Sequence, residues 1–317
     1  MAQVTAGVDL GGTKIQVVVV RGRRVLGTAR GATPQTGGAD VVAAMAALVE
    51  EAQRTAGIAS PLPAVGVGSP GDVDGATGAV RSAANVPGFE HGYPLGPELS
   101  RALGGVPVRV DNDARASMLG EFRRGAGRPF RDVLGVFVGT GVGGALVLGG
   151  RLRRGRGAAG EIGHMVVHPS GRQCPCGRIG CLEAYAGRRS IEETARRRHE
   201  KGTKTKLFRI MEKRGRDRAT SGVIAQALDE GDEVVSELID EAVQALGLAL
   251  ASAQNLLDVE AIVVGGGLGT RLGQPFVERI ATAMKPHLFV PEPGPSVLLG
   301  EVGDLAGAVG ASIVAGA

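Results

Sequence analysis

Three cysteines fall in one short stretch, Cys174-Pro175-Cys176-Gly177-Arg178-Ile179-Gly180-Cys181. Thiolates this close cannot all pair as disulfides, and with one imidazole they make a closed tetrahedral set, the chemistry of a structural Zn2+. The expected ligands are His164, Cys174, Cys176 and Cys181. A second cluster is Asp9-Leu10-Gly11-Gly12-Thr13-Lys14. Its glycines let backbone N–H groups turn toward phosphate oxygens, Thr13 adds a hydroxyl and Lys14 a cation, and Asp9 is placed to hold Mg2+ through water. A glycine hairpin with a capping aspartate would use the same residues without any ligand. Gly139-Thr140-Gly141-Val142-Gly143-Gly144 is a second glycine loop. It satisfies G-x-G-x-x-G, but a dinucleotide fingerprint must open a helix, and Ala145–Leu148 reads as a strand. We read it as a second hairpin gripping phosphates. Gly265, Gly266 and Gly267, between a strand and a helix, would let an adenosine lie against backbone at a helix N-terminus. Asp111-Asn112-Asp113 places three polar residues where a strand ends and a helix begins, although one cap needs only one of them. An aspartate there can orient an attacking hydroxyl and take its proton. The residues alone leave Asp111 and Asp113 equal candidates.

The elements that must position these groups read as two α/β halves, each opening strand–glycine loop–strand. In the first, Val4–Asp9, Ile15–Val20 and Val25–Arg30 read as an antiparallel opening. Ala39–Ala56 has helical periodicity and ends at Gly57. Ala64–Gly68 returns as a strand, Pro97–Leu103 as a short helix and Val106–Val110 as a strand before a helix from Asp113. In the second, Asp132–Val138 and Ala145–Leu148 are strands, Gly149–Pro175 is loop-rich, and helices run from Arg188 to Leu257. Ala261–Val264 is a strand, Thr270–Lys285 a helix, and Leu305–Ala315 a last helix expected to pack back on the first half. The expected domains are residues 1–112 plus 304–317, and residues 113–303.

The chain has 317 residues, enough for two domains with cores. Its 53 glycines cluster at strand ends and follow no collagen repeat. A net charge of +4 is too small an excess to argue for nucleic acid. No run is long enough to span a bilayer, and the first residues lack a secretion signal. Clustered cysteines without such a signal fit a reducing compartment, so a cytoplasmic protein is expected. Arg196–Arg218 is strongly basic. A solvated helical face is the reading we favour, and attraction of polyphosphate the sharper alternative.

The chain resembles the ROK group of bacterial sugar kinases, close to its glucokinases, from Asp9 to the last helix. The resemblance rests on the order and spacing of Asp9–Lys14, Asp111–Asp113, Gly139–Gly144, Glu161-Ile162-Gly163-His164, Cys174–Glu183 and Gly265–Gly267. It implies a two-domain actin-like (ribonuclease H-like) ATPase fold with a zinc loop, and ATP-dependent phosphorylation of a hexose, with glucose leading. It puts the base at Asp113 and gives Asn112, Glu161, His164, Glu183 and Asn85 to the sugar. His164 would serve zinc with one ring nitrogen and sugar with the other. It also implies a homodimer or homotetramer. N-acetylglucosamine, N-acetylmannosamine, mannose and fructose stay open as substrates. The group's repressors carry a helix-turn-helix in front, for which the eight residues before Asp9 leave no room. A non-catalytic sugar-binding regulator would not need the phosphate loops.

Overall fold

Runs of apolar residues dictate two sheets whose central strands are buried on both faces. The computed structural model describes residues 3–83 and 85–316 and divides into two units. The first takes in Met1–Pro129, Leu152–Ala159 and Asp304–Ala317. Its strands are β1 (Val4–Leu10), β2 (Lys14–Arg21), β3 (Arg24–Ala32), β4 (Val65–Ser69), β5 (Asp72–Asp74), β6 (Ala79–Ser82) and β7 (Val108–Asn112). Its helices are α1 (Gly38–Thr55), α2 (Leu95–Ala102), α3 (Asp113–Arg124) and a C-terminal helix, Ala306–Ala315. The main sheet runs β3-β2-β1-β4-β7, with the first three strands antiparallel and β1-β4-β7 parallel. Val17 to Val20 are all buried because helices cover both faces: α1 on one, the C-terminal helix and α3 on the other.

The C-terminal helix reads AGAVGASIVA and is apolar all round, the pattern of a helix with no solvent face. It touches its neighbours through missing side chains. A Cβ on Gly7 would lie 1.9 Å from the Ala308 carbonyl oxygen, and one on Gly310 would lie 1.6 Å from that of Ala116. The second contact corrects the expected boundary at residue 112. Helix α3 is pinned to the C-terminal helix and belongs to the first unit, and so does Leu152–Ala159.

The second unit comprises Phe130–Arg151 and Gly160–Gly303. Its sheet runs β10-β9-β8-β11-β12, built from β8 (Val133–Val138), β9 (Val142–Leu148), β10 (Arg151–Arg153), β11 (Ala261–Gly265) and β12 (Ser296–Leu299). Every residue of β8 and β11 is buried. Helices α4 (Glu183–Ala186), α5 (Arg188–Glu200), α6 (Leu207–Lys213), α7 (Ser221–Asp229), α8 (Glu233–Leu257) and α9 (Gly266–Met284) complete it. Helix α9 begins four residues before the expected Thr270 and is broken at Gly273, where φ is 70°. Asp232 caps α8 by accepting from the Val235 N–H at 2.9 Å. Among the described residues no helix is long and apolar enough to cross a membrane.

Candidate active site

In the first unit β1 carries Asp9 to the end of the sheet, and the turn after it closes as the Gly11 N–H donates to the Lys14 carbonyl at 2.9 Å. Thr33 Oγ1 donates to the Gly11 carbonyl at 2.6 Å, and Gln35 Nε2 to that of Gly12 at 3.1 Å. These bonds consume the loop's carbonyls, so its N–H groups and the Thr13 hydroxyl are what it offers a ligand. A Cβ on Gly12 would lie 2.4 Å from the Asn85 carbonyl oxygen. The turn bearing Asn85 therefore rests on this loop, and Asn85 itself is exposed.

The Asp9 carboxylate lies against Gly307 at the start of the C-terminal helix, where a Cβ would fall 2.6 to 2.9 Å from its atoms. Burial, and then the negative charge of Asp113, push the Asp9 carboxyl up to about 7, against the pull of Lys14. A divalent cation relieves a carboxyl raised in this way, so the residues fit Mg2+ at Asp9.

At the β7–α3 junction the three polar residues have separate roles. Asn112 is the cap of α3: its Oδ1 accepts from the Ala114 and Arg115 N–H groups at 3.0 and 3.2 Å, and its Nδ2 donates to the Gly71 carbonyl at 3.3 Å. Asp111 is almost fully buried and locked. Its Oδ1 accepts from Arg115 Nε at 2.5 Å and from the Asn112 N–H at 2.8 Å, while its Oδ2 accepts from Arg154 Nη2 at 2.7 Å. Two guanidinium groups and a backbone N–H occupy both oxygens of that carboxylate and fix its orientation. Asp113 is only partly buried, accepts from the Ala114 N–H at 2.8 Å, and senses Asp9.

In the second unit the Gly139–Gly141 turn joins β8 to β9, with the Gly139 N–H donating to the Gly141 carbonyl at 2.9 Å. Glu183, the first residue of α4, backs this turn. Its Oε2 accepts from the Val142 N–H at 2.9 Å, and a Cβ on Gly141 would collide with it at 2.1 Å. Glu161 is exposed and opens the 3-10 turn Ile162–His164. Gly265–Gly267 passes from β11 into α9 with no side chain capping the helix, so its first N–H groups face outward for a ligand.

One functional group was absent from the sequence reading. Arg188, the first residue of α5, donates through Nη2 to Thr140 Oγ1 at 2.9 Å and through Nη1 to Ser221 Oγ at 3.3 Å. Ser221 Oγ would lie 3.6 Å from a Cβ on Gly267. The guanidinium therefore stands between the second and third glycine loops, held by hydroxyls and making no ion pair among the described residues. Burial pushes its pKa down, Glu192 opposes the fall and Arg218 adds to it. The signal was present in the sequence, since Arg188-Arg189 sits at the positive end of a helix dipole, which disfavours cations.

His164, Cys174, Cys176 and Cys181 come together, their ligand atoms all within 4.8 Å of one another. His164 Nδ1 is buried without a hydrogen-bond partner, as a nitrogen reserved for a metal would be. Burial raises all three thiols, but hydrogen bonds led by Arg178 bring Cys176 down to about 6 while Cys174 and Cys181 stay raised. The donor set fits Zn2+, which would displace the remaining protons. Cys174 Sγ lies 3.7 Å from Glu183 Oε1, so the cluster also braces the residue behind the Gly139–Gly141 turn. His168 stands outside the cluster, exposed, with its ring 6.4 Å from that of Tyr185.

Four cations of the basic segment make ion pairs. Arg196 and Arg218 pair with Glu192, Arg198 with Glu237 and Glu241, and Arg209 with Glu230.

Comparison with known proteins places the chain in a family. The chain is 34% identical to a glucokinase of Thermotoga maritima over 286 residues, covering 88% of each chain. It is 31% identical to an N-acetylmannosamine kinase of Escherichia coli over 292 residues, covering 90% of each. Its fold superposes with a TM-score of 0.84 on a ROK family glucokinase from Streptomyces griseus, solved with glucose and AMPPNP, at 34% identity and over 98% of this chain and 99% of that one. Residues 5–317 match the ROK family from end to end, and the chain is a member of that family, with its sugar kinase fold.

Proposed function

We propose that this protein is an ATP-dependent hexose kinase with glucose as its leading substrate and Asp113 as its general base. The observation that carries the choice of base is the lock on Asp111. With Arg115 and Arg154 on that carboxylate, only Asp113 remains to accept a proton at this junction. In the reaction Asp113 takes the proton from a sugar hydroxyl, that of carbon 6 in glucose. The oxygen forms a bond to the γ-phosphorus, and the bond from that phosphorus to the bridging oxygen breaks, releasing ADP.

Asp9, Gly11, Gly12, Thr13 and Lys14 would meet the phosphates, Gly139, Thr140, Gly141 and Gly265–Gly267 the nucleotide, and Asn85, Asn112, Asp113, Glu161, His164 and Glu183 the sugar. Arg188 joins the nucleotide set. A guanidinium held by two hydroxyls, with no ion pair among the described residues, can take an anion, and the phosphate tail supplies one. Mg2+ near Asp9 would neutralise charge on the transferred group, and zinc would hold His164 and Glu183 in place. Similarity to both glucose- and N-acetylmannosamine-specific kinases makes an amino-sugar substrate the second reading. ATP leads as the phosphate donor, and polyphosphate, drawn to the cations of Arg196–Arg218 outside these ion pairs, is the alternative.

A coupled assay with Mg-ATP against a panel of hexoses and N-acetylhexosamines tests the proposal. Turnover of glucose, lost in Asp113→Asn, is the expected result. Turnover of an amino sugar alone replaces glucose, and no turnover of any sugar by protein that still binds ATP defeats the kinase reading.

A further inference from the structure

The first unit holds a concave pocket of about 580 Å³ that none of the reaction residues opens into. It is walled by the β5–β6 hairpin, the end of β7, Arg115 of α3 and the loop Arg154–Gly157. Five arginines line it, Arg81, Arg109, Arg115, Arg154 and Arg156, against two aspartates, Asp74 and Asp111. Three of the five are engaged: Arg81 with Asp72 and Asp74, and Arg115 and Arg154 with Asp111. Arg109 and Arg156 have no ion-pair partner among the described residues. Among the described residues no aromatic ring lines the pocket. Free guanidinium forks in a concave, positively charged wall match the tetrahedral oxygens of a phosphate group.

One wall also bears on the reaction. Arg154 is half-exposed to the pocket and donates to Asp111 Oδ2 at 3.0 and 2.7 Å through Nε and Nη2. Asp111 Oδ1 in turn holds the Asn112 N–H at 2.8 Å. The carboxylate that Arg154 grips thus sets the strand-to-helix junction carrying Asn112 and Asp113. An anion seated beside Arg109 and Arg156 competes for the Arg154 guanidinium and loosens that junction.

We propose that this pocket binds a small phosphate-bearing anion, either inorganic phosphate or a phosphate monoester of the kind a sugar kinase releases. Its occupancy lowers turnover through Arg154 and Asp111. This second half rests on the reading of Asp113 as base; the binding itself does not.

The test compares the wild type with the double variant Arg109→Gln/Arg156→Gln. Both side chains are exposed and make no ion pair, so the folded unit should tolerate their loss. Inorganic phosphate and, separately, glucose 6-phosphate are titrated calorimetrically into each protein with glucose and AMPPNP saturating the reaction site. The same two anions are then added to the turnover assay. We expect the wild type to bind at least one of them, and the double variant to bind it about tenfold or more weakly. Which anion binds identifies the source. Inhibition by that anion should be non-competitive with sugar and absent in the variant, whose uninhibited kcat and KM stay those of the wild type. Equal affinity in both proteins, or no binding of either anion, overturns the site. Binding without any change in kcat overturns the coupling. A wild type that turns over no sugar but still binds phosphate in an Arg109- and Arg156-dependent way would sink the kinase reading and leave the pocket standing.

Discussion

Exchanging each carboxylate of the β7–α3 junction for its amide should separate the two aspartates cleanly. Asp113→Asn keeps shape and removes the proton acceptor, and a positioned base contributes roughly 10² to 10⁴ in rate. The same change lessens the repulsion that raises Asp9, so stability should hold or rise slightly. Asp111→Asn removes no acceptor from the reaction but strips the counter-charge from Arg115, whose side chain is 4% exposed. Breaking a buried pair by removing one partner costs about 3–5 kcal/mol. The Arg154 half of the pair, 51% exposed on the arginine side, adds under about 1 kcal/mol after solvent screening. Asp111→Asn should therefore lower the denaturant midpoint markedly and spare kcat at low temperature to within about tenfold. Asp113→Asn should lose kcat by at least about a hundredfold while still binding sugar calorimetrically. The crossed result, a stable inactive Asp111→Asn beside an active Asp113→Asn, would refute the assignment and move the base two residues upstream, to Asp111.

Arg188→Gln removes the guanidinium bonded to Thr140 and Ser221. KM for ATP should rise about ten- to a hundredfold, the worth of a charge-assisted hydrogen bond, with sugar KM unchanged. Affinity for adenosine should be untouched; equal weakening of adenosine and ADP would mark the residue as purely structural. Elemental analysis should find one zinc per chain, and stripping it with a strong chelator should raise sugar KM before the far-ultraviolet spectrum changes. An unchanged KM in zinc-free protein would sever the cluster from the sugar site. Because the Asp9 carboxyl is raised to about 7 in the folded chain from an ordinary 3.8, the fold binds that proton more tightly than the unfolded chain does. Metal-free protein should therefore lose stability as pH rises from about 4 through about 7. Asp9→Asn should flatten this slope, and matching thermal midpoint curves for the two proteins would show that Asp9 is not the group responsible.

Much of this site was legible in the residues because its chemistry is local. Glycine pairs at strand ends, an Asn cap before a helix and three clustered cysteines each declare a backbone geometry within a few positions. What stayed hidden depends on partners far along the chain. The lock on Asp111 needs Arg154, 43 positions away, and the Arg188–Thr140 bond spans 48. The misplaced boundary has a related cause. A cap at Asn112 marks where a helix starts, whereas the unit that helix joins is set by Gly120 and Gly310, whose meeting no periodicity announces. The β5–β6 hairpin was missed because strands of three and four residues are too short to show alternation.

The C-terminal helix has a consequence for synthesis. Thr5 Oγ1 donates to the Ser312 carbonyl across 307 positions, and Gly307 lies against the carboxylate of Asp9. While the chain grows from the ribosome, β1 and β4 emerge early, yet the helix that covers one face of them appears only after the whole second unit has been made. The second unit can mature first, while the first waits with one sheet face bare, a natural client for a chaperone that holds apolar surface. A chain cut short before Ala306 would lack both the lid on that sheet and the wall behind Asp9. On the proposed reading, completion of the phosphate site would wait until the polypeptide has been read through to this helix.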